Sequence, residues 1–413
     1  MGIPGLLLYL STFIIGPLRA DPGSRNDLDV YLRAAADMAA GRDPYGDFAA
    51  VTRQVDPTLT GGYIYPPGLA WCLQPLAHVP RPLSHALVAI VLQLLLLVSL
   101  AAILRAVGPV PARLGVLIGL LTMLFFPLWQ NLAYQQVNLL LLALSSVWLA
   151  SWAGGPRREG VGEGVGGLAA GVAVALKLIQ APSLALVLWR RRWSMLWPSL
   201  VGVLAVLIAG FPWLGEYATR VLPRVGRGTG WVLNQAPAAL TARLLHPVSF
   251  YRTTPDTGAE VAVTAAVLGL LVFALTLRVL VHRPADRRQR CLEVAAVVAA
   301  TPVFLPLSWD THLVLLLLPL VVLTVDSVRR RHVPGMLAAA FAWLVTGPLH
   351  LAYVVLFGQL LRGPNLNMAL STGHPAVMVD MALRVGAELG PVGIVVLWLA
   401  CLRAYSASYA WST

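Results

Sequence analysis

The chain has 413 residues, of which 58% are hydrophobic and only 12% charged, against roughly 25% charged in a soluble globular domain. Apolar runs of about 20 residues, long enough to cross a bilayer, recur from one end to the other, which excludes a soluble enzyme or a coiled coil. The formal net charge of +12 needs no nucleic acid to explain it, because the excess lies in short loops between apolar runs.

Backbone groups inside lipid must hydrogen-bond within their own segment, so the runs are read as helices. Twelve spans are predicted near 3–18, 84–104, 114–129, 134–152, 163–177, 179–189, 194–212, 259–280, 291–307, 311–328, 334–357 and 388–405. The reading is an all-α polytopic membrane protein, a single domain over 1–413, with interfacial helices in its first outer loop. The first apolar segment lacks a basic leading region and a small-x-small cleavage site, so it is taken as a retained span. An even count places both termini on one side. The loops on that side carry 16 arginines and five acids, and the opposite segments carry 13 of each, with Lys177 completing the total. Arginine-rich short loops face the cytoplasm. The sequence therefore predicts a plasma-membrane protein with cytoplasmic termini and long outer segments at 19–83, 213–258 and 358–387.

The first outer segment holds seven aspartates. A helix is predicted over Leu28 to Ala40, with Leu28, Leu32, Ala35 and Ala39 in one stripe and Gly41 ending it. Such a helix suits the membrane interface. Asp27 and Asp29 are two apart and point to different sides of it. Asp27 is either a cap for exposed amides or a general base at the bilayer surface, where shielding from water raises a carboxyl pKa. The apolar stretch Leu69 to Val79 is too short to cross.

Asn131, Tyr134, Gln135, Gln136 and Asn138 form a polar patch that either binds sugar hydroxyls or joins helices. The Gly-rich piece Gly160 to Gly171 lacks the ending of a phosphate loop and suits close helix packing instead. Lys177 is the only lysine. An ionisable residue in an apolar segment is a functional candidate; it either holds a phosphate or snorkels to the interface. Gln180 stands beside it. In the second outer segment Arg220, Arg224, Arg227 and Arg243 can attract an anionic headgroup. Asp310 and His312, in Ser308-Trp309-Asp310-Thr311-His312, are the ionisable groups of a tight turn. His312 is a candidate donor to substrate or phosphate, and Asp310 either contacts substrate or caps the next helix. The remaining histidines, including His85 and His350, show no metal spacing and are read mostly as interfacial or loop residues. Cys72, Cys291 and Cys401 show neither a disulfide framework nor a metal site.

These strings resemble glycosyltransferase family 87. The similarity is carried by Asp27-Leu28-x-Val30-Tyr31, Gly41-x-Asp43-Pro44-Tyr45, Tyr65-Pro66-Pro67, Gln136-Val137-Asn138, Leu176-Lys177 and Ser308-Trp309-Asp310-x-His312. The resemblance implies a GT-C type bundle that transfers a sugar, mannose first, from a polyprenyl-phosphate donor to a lipid- or cell-wall-linked glycan outside the cytoplasm. It implies no cofactor beyond that donor, no metal, and a monomer. Carried over, Asp27 is the base, with Asp29 the second choice. Lys177, His312, Arg224 and Arg227 are donor-phosphate candidates. Tyr31, Tyr65, Gln136, Asn138, Trp309 and Asp310 are substrate contacts. Thr311-His312 stands where mannosyltransferases often have two histidines, and Val55 to Gly68 also resembles an arabinofuranosyltransferase branch. A transporter or flippase is the non-enzymatic alternative; it predicts inverted halves and mid-membrane helix breaks.

Overall fold

The structure, a computed structural model, describes residues 26–46, 62–154, 161–225, 230–231, 233–245, 258–304, 307–360 and 377–407, with Tyr9, Ser11 and Ile15. The predicted span 3–18 lies almost wholly outside these residues, as does the second half of the first outer segment up to residue 61. Among the described residues every regular element is a helix, and the only strand-like pairing is an isolated bridge between Asn234 and Trp309. They form two compact units, one within 1–109 and 128–223, the other within 110–127 and 224–413.

The first unit contains α1 (Asp27–Ala39), α2 (Pro67–Ala77), α3 (Arg81–Val107), α6 (Asn138–Gly154), α7 (Val161–Leu176), α8 (Ala181–Trp189) and α9 (Trp193–Ala209). Helix α4 (Ala112–Met123) belongs to the second unit, and α5 (Phe126–Ala133) begins in the second and lies mostly in the first. Helix α1 begins at the Asn26 cap, whose side chain accepts from Leu28 N at 2.9 Å. It ends at Gly41, whose φ of +70° lets Arg42 N–H reach the Asp37 carbonyl at 2.7 Å, the closing bond of a glycine-terminated helix. Its buried residues are Leu28, Tyr31, Ala34, Ala35 and Met38. The predicted stripe is thus rotated. Ala39 is exposed and Leu32 half-buried, because the face is set by packing on α2.

Gly68 and Gly210 explain how that region closes. A β-carbon on Gly210 would lie 2.7 Å from Gly68 N and from the Pro67 ring, and one on Gly68 would collide with Val206. The Tyr65-Pro66-Pro67-Gly68 turn is therefore pressed against the end of α9. The Gly-rich helix α7 works likewise: β-carbons at Gly167 and Gly171 would strike the Met195 and Ser199 backbone of α9. The glycines serve helix packing, as the sequence suggested.

The second unit contains α10 (Pro237–Leu245), α11 (Ala259–Val279), α12 (Arg287–Phe304), α13 (Leu317–Arg329), α14 (Val333–Thr346), α15 (Pro348–Leu360) and α16 (Val377–Ser406). A 3-10 segment, Asp310–Leu316, runs directly into α13. That combined span is almost wholly buried, while Ala259–Val279 is mostly exposed. Helices α12, α14 and α16 pack around it or against each other. Arg288 of α12 joins α13 and α16, pairing with Asp326 (Nη2 to Oδ2, 2.9 Å) and donating to the Ala404 carbonyl at 3.0 Å.

Among the described residues five helices are long and apolar enough to cross a membrane, or up to seven if two bent pairs each count as one span. The five are Arg81–Val107, Ala259–Val279, Asp310–Arg329, Val333–Leu356 and Gly386–Ser406. The bent pairs, Ala112–Met123 with Phe126–Ala133 and Trp193–Ala209 with Phe211–Val221, turn by 56° and 76°. The predicted segments 134–152, 163–177 and 179–189 coincide with apolar helices too short to count. The segment 291–307 coincides with α12, whose early turns carry Arg287, Arg288, Arg290 and Glu293. The chain is a helical membrane protein.

Candidate active site

Asp27 opens α1, but it does not cap it; Asn26 does. That frees the Asp27 carboxylate, which accepts a hydrogen bond from Gln136 Nε2. Gln136 is buried and uses both ends of its amide: its Oε1 faces the hydroxyls of Tyr31 at 2.9 Å and Tyr65 at 3.2 Å, themselves 3.0 Å apart. A buried amide left without partners costs about 1–3 kcal/mol, so this arrangement favours one orientation of Gln136. Tyr45 and Tyr63 brace the cluster. Tyr45 donates to the Tyr65 carbonyl at 2.9 Å, and Tyr63 donates to the Pro66 carbonyl at 2.8 Å.

Lys177 reaches the same cluster. Pro182, near the start of α8, has no N–H to continue the helix, and the chain breaks at Lys177, which takes an extended conformation. Its ammonium donates to Asn138 Oδ1 at 2.8 Å and to the Tyr65 hydroxyl at 3.3 Å, and stands 4.7 Å from the Tyr65 ring centroid. It turns into the protein and is half-buried. Gln180 lies beside it in sequence but bonds with Ser183 at 3.4 Å.

Burial pushes the Asp27 carboxyl up to about 6, and the positive charge of Lys177 opposes the rise. The result is a carboxylate that is ionised near neutral pH and still basic enough to take a proton.

Asp29 lies on another side of α1. Its two oxygens take Arg81 Nη2 at 2.7 Å and Nε at 2.8 Å, and His85 Nε2 stands 3.0 Å away. Burial raises its pKa, but Arg81 and His85 outweigh that and hold it below the usual carboxylate value.

Of the other candidates, Arg227 and the side chain of Arg224 lie outside the described residues. Arg220 pairs with Asp43 at 2.6 Å and Glu216 at 2.9 Å, and Arg243 pairs with Glu388 at 2.8 Å. Trp309, Asp310 and His312 belong to the second unit. There Asn234 Oδ1 accepts from Ser308 N at 2.8 Å, Gln235 N donates to the Ser308 carbonyl at 2.7 Å, and Asp310 N donates to the Leu233 carbonyl at 3.1 Å. Asp310 Oδ1 accepts from the next residue's amide, Thr311 N, at 2.9 Å, while its other oxygen is 3.8 Å from His350 Nε2. His312 is buried, its backbone N–H on the Trp309 carbonyl at 2.8 Å. Among the described residues no group of three or more His, Cys, Asp or Glu is placed to hold a metal ion. The three cysteines are free thiols.

Sequence reasoning missed Asn26, Arg81 and His85 as neighbours of the two aspartates, and missed His350 beside Asp310. No motif joins these residues; only the fold does.

Membrane-length helices, with a carboxylate and a lysine meeting in one tyrosine-lined cluster, define an integral membrane protein with a candidate polar site. The chain belongs to glycosyltransferase family 87, whose model matches residues 63–307, and it is a glycosyltransferase. The match contains Tyr65, Gln136, Asn138 and Lys177 and begins after Asp27. Two curated relatives carry the same description, polyprenol-phosphate-mannose-dependent alpha-(1-2)-phosphatidylinositol mannoside mannosyltransferase. The one from Mycobacterium tuberculosis is 28% identical over 75% of this chain and 72% of its own length. The one from Mycolicibacterium smegmatis is 30% identical over 79% of this chain and 76% of its own length. No solved structure matches significantly.

Proposed function

We propose that this glycosyltransferase moves a mannosyl unit from a polyprenyl-phosphate donor to a hydroxyl of a glycolipid or cell-wall glycan, with Asp27 as the base. The relatives' donor and their phosphatidylinositol mannoside acceptor support the substrate class. The observation that carries the reading is the half-buried Asp27 carboxylate, held by Gln136 and lifted to about 6. Asp27 takes the proton of the acceptor hydroxyl. The freed oxygen bonds to the anomeric carbon from the face opposite the phosphate. The bond from that carbon to the phosphate oxygen breaks, its electron pair leaves with polyprenyl phosphate, and the configuration inverts. Lys177 offsets the charge growing on the leaving phosphate, and His312, Arg224 and Arg227 are further candidates for that contact. Tyr31, Tyr65, Gln136 and Asn138, with Trp309 and Asp310, are assigned to sugar contacts. Lysine and arginine charge takes the part that a metal plays elsewhere, and the donor needs no nucleotide because its phosphate is already a leaving group.

We also read the protein as a monomer of the plasma membrane, with about twelve crossings, interfacial helices in the first outer segment, cytoplasmic termini and the site on the outer face. The arginine asymmetry supports that orientation.

The test is incubation of membranes carrying the protein with labelled polyprenyl-phosphate mannose, followed by identification of the product. A mannosylated glycolipid whose formation requires Asp27 is expected. Transfer from a polyprenyl-phosphate arabinose donor instead would overturn the choice of sugar, and undiminished transfer by Asp27→Asn would overturn the base.

A further inference from the structure

We infer that Gln135 is the positioning residue of this site, fixing both the start of α1 and Gln136 against Asp27. The inference rests on the reading of Asp27 as the base.

Helix α5 ends at Ala133. Gln136 N–H reaches back to the Asn131 carbonyl at 2.9 Å, and Gln135, one residue before it, has a φ of +51°. This is the helix-ending position where glycine is usual, because a β-carbon is crowded in the left-handed region. Among the described residues two other non-glycine residues share that conformation, Arg191 (φ +53°) and Arg331 (φ +51°), and both are exposed. Gln135 differs from them. It is 2% exposed and bonded at both ends of its amide.

Gln135 Nε2 donates to the His85 carbonyl at 2.7 Å, on α3. Its Oε1 accepts from Asn26 Nδ2 at 3.3 Å, and the same Asn26 amide donates to the Ala133 carbonyl at 3.2 Å. Asn26 caps α1 immediately before Asp27, and the His85 ring faces Asp29 two residues further on. One side chain thus ties the end of α5 and the first turn of α3 to the cap of α1. The next residue, Gln136, then meets Asp27 from the α5 side. A glycine at 135 would adopt the same backbone with less strain and lose the bonds to the His85 carbonyl and to Asn26. The strained glutamine is explained by what its amide holds.

Removing the ties lets the start of α1 part from Gln136 and admits water to Asp27, which lowers the affinity of the carboxylate for a proton. The test reads that affinity without relying on turnover. An apolar carbodiimide reacts with protonated carboxyl groups, and labelling of the Asp27 peptide is followed against pH by mass spectrometry, on purified protein in lipid nanodiscs. In the unaltered protein labelling should fall with a midpoint near 6. Gln135→Gly should move the midpoint to lower pH and cut sugar transfer roughly tenfold to a hundredfold, with thermal stability no lower than that of the unaltered protein.

Asn26→Ser keeps the helix cap but removes the donor to both Gln135 and the Ala133 carbonyl, so it should shift the midpoint in the same direction. It keeps the inference open to refutation if Gln135→Gly does not fold. Arg191→Gly relieves the same backbone strain at an exposed site and should leave the midpoint in place. An unmoved midpoint in Gln135→Gly, or in Asn26→Ser where only that variant folds, overturns the inference, as does an equal shift in Arg191→Gly. If the unaltered protein transfers no sugar from a lipid-phosphate donor, the proposed function fails, and the labelling still decides the role of Gln135.

Discussion

Asp27 and Asp29 stand two residues apart in the first turn of α1, and their surroundings are opposite. Asp29 is paired with a two-pronged arginine and contacted by a histidine, which leaves it below the ordinary carboxylate pKa. Asp27 takes a bond from a neutral amide, feels Lys177 only as a moderating charge, and is lifted to about 6. One turn of helix therefore carries two carboxylates whose proton affinities are shifted in opposite directions. What separates them is not their type or spacing but which helix lies across from each: α3 for Asp29, the segment after α5 for Asp27.

The sharpest way to break this contrast is to remove each carboxylate in turn. Asp27→Asn should lower transfer by about a thousandfold, in the range of a lost general base, while thermal unfolding shows no loss of stability. If Asp29→Asn costs as much activity and Asp27→Asn costs little, the two roles are reversed.

Lys177→Gln should come next, with a loss of about a hundredfold as for other lost stabilisers of developing charge. Because Lys177 lowers the Asp27 pKa, its removal should also move the acidic limb of the pH–rate profile to higher pH. A limb that stays in place would show that the two groups do not interact.

In the unaltered protein that limb should lie near 6. The base must be ionised, so activity falls as pH drops through that value and is retained above it. The sign for stability differs between the two groups. Asp27, with a raised pKa, favours the folded state when protonated, and that contribution is lost as pH rises from the ordinary carboxylate value through about 6. Asp29, with a depressed pKa, contributes stability above the ordinary value and loses it as pH falls through its lower folded value.

Asp29→Asn should accordingly read out as stability. A loss of about 1.5–3 kcal/mol is expected for charge-assisted bonds of this kind, measured by denaturant unfolding in detergent, with transfer reduced less than Asp27→Asn reduces it.

The smallest effect is expected in the second unit. His350 is buried, but among the described residues neither ring nitrogen has a hydrogen-bond partner, and Asp310 is 3.8 Å away. His350→Phe keeps the ring and leaves no bonded group behind, so stability should change by less than about 1 kcal/mol. A larger loss would mean that the Asp310–His350 contact supports the second unit as Arg81 supports Asp29 in the first.

Much of this molecule was legible in the chain. The apolar runs specify helices because lipid leaves the backbone no other partner. Glycines at 167 and 171 announced close packing, Gly41 ended α1, and the lone lysine marked the cluster it joins. The motif order from Asp27 to His312 pointed to the family. Other features lay beyond local reading. The stripe of α1 was rotated because its buried side is chosen by α2. Among the described residues five to seven helices have membrane length, because bends and breaks shorten several of the predicted segments.

Periodicity and composition act between neighbours along the chain, and those neighbours alone determined the helical class, the helix ends and the candidate residues. Only the tertiary structure decided which carboxylate has the raised proton affinity, because the groups that tune it, Gln136 and Lys177 for Asp27, Arg81 and His85 for Asp29, come from distant segments. Charge and burial act through space, and a residue's proton affinity belongs to the neighbours that the fold supplies.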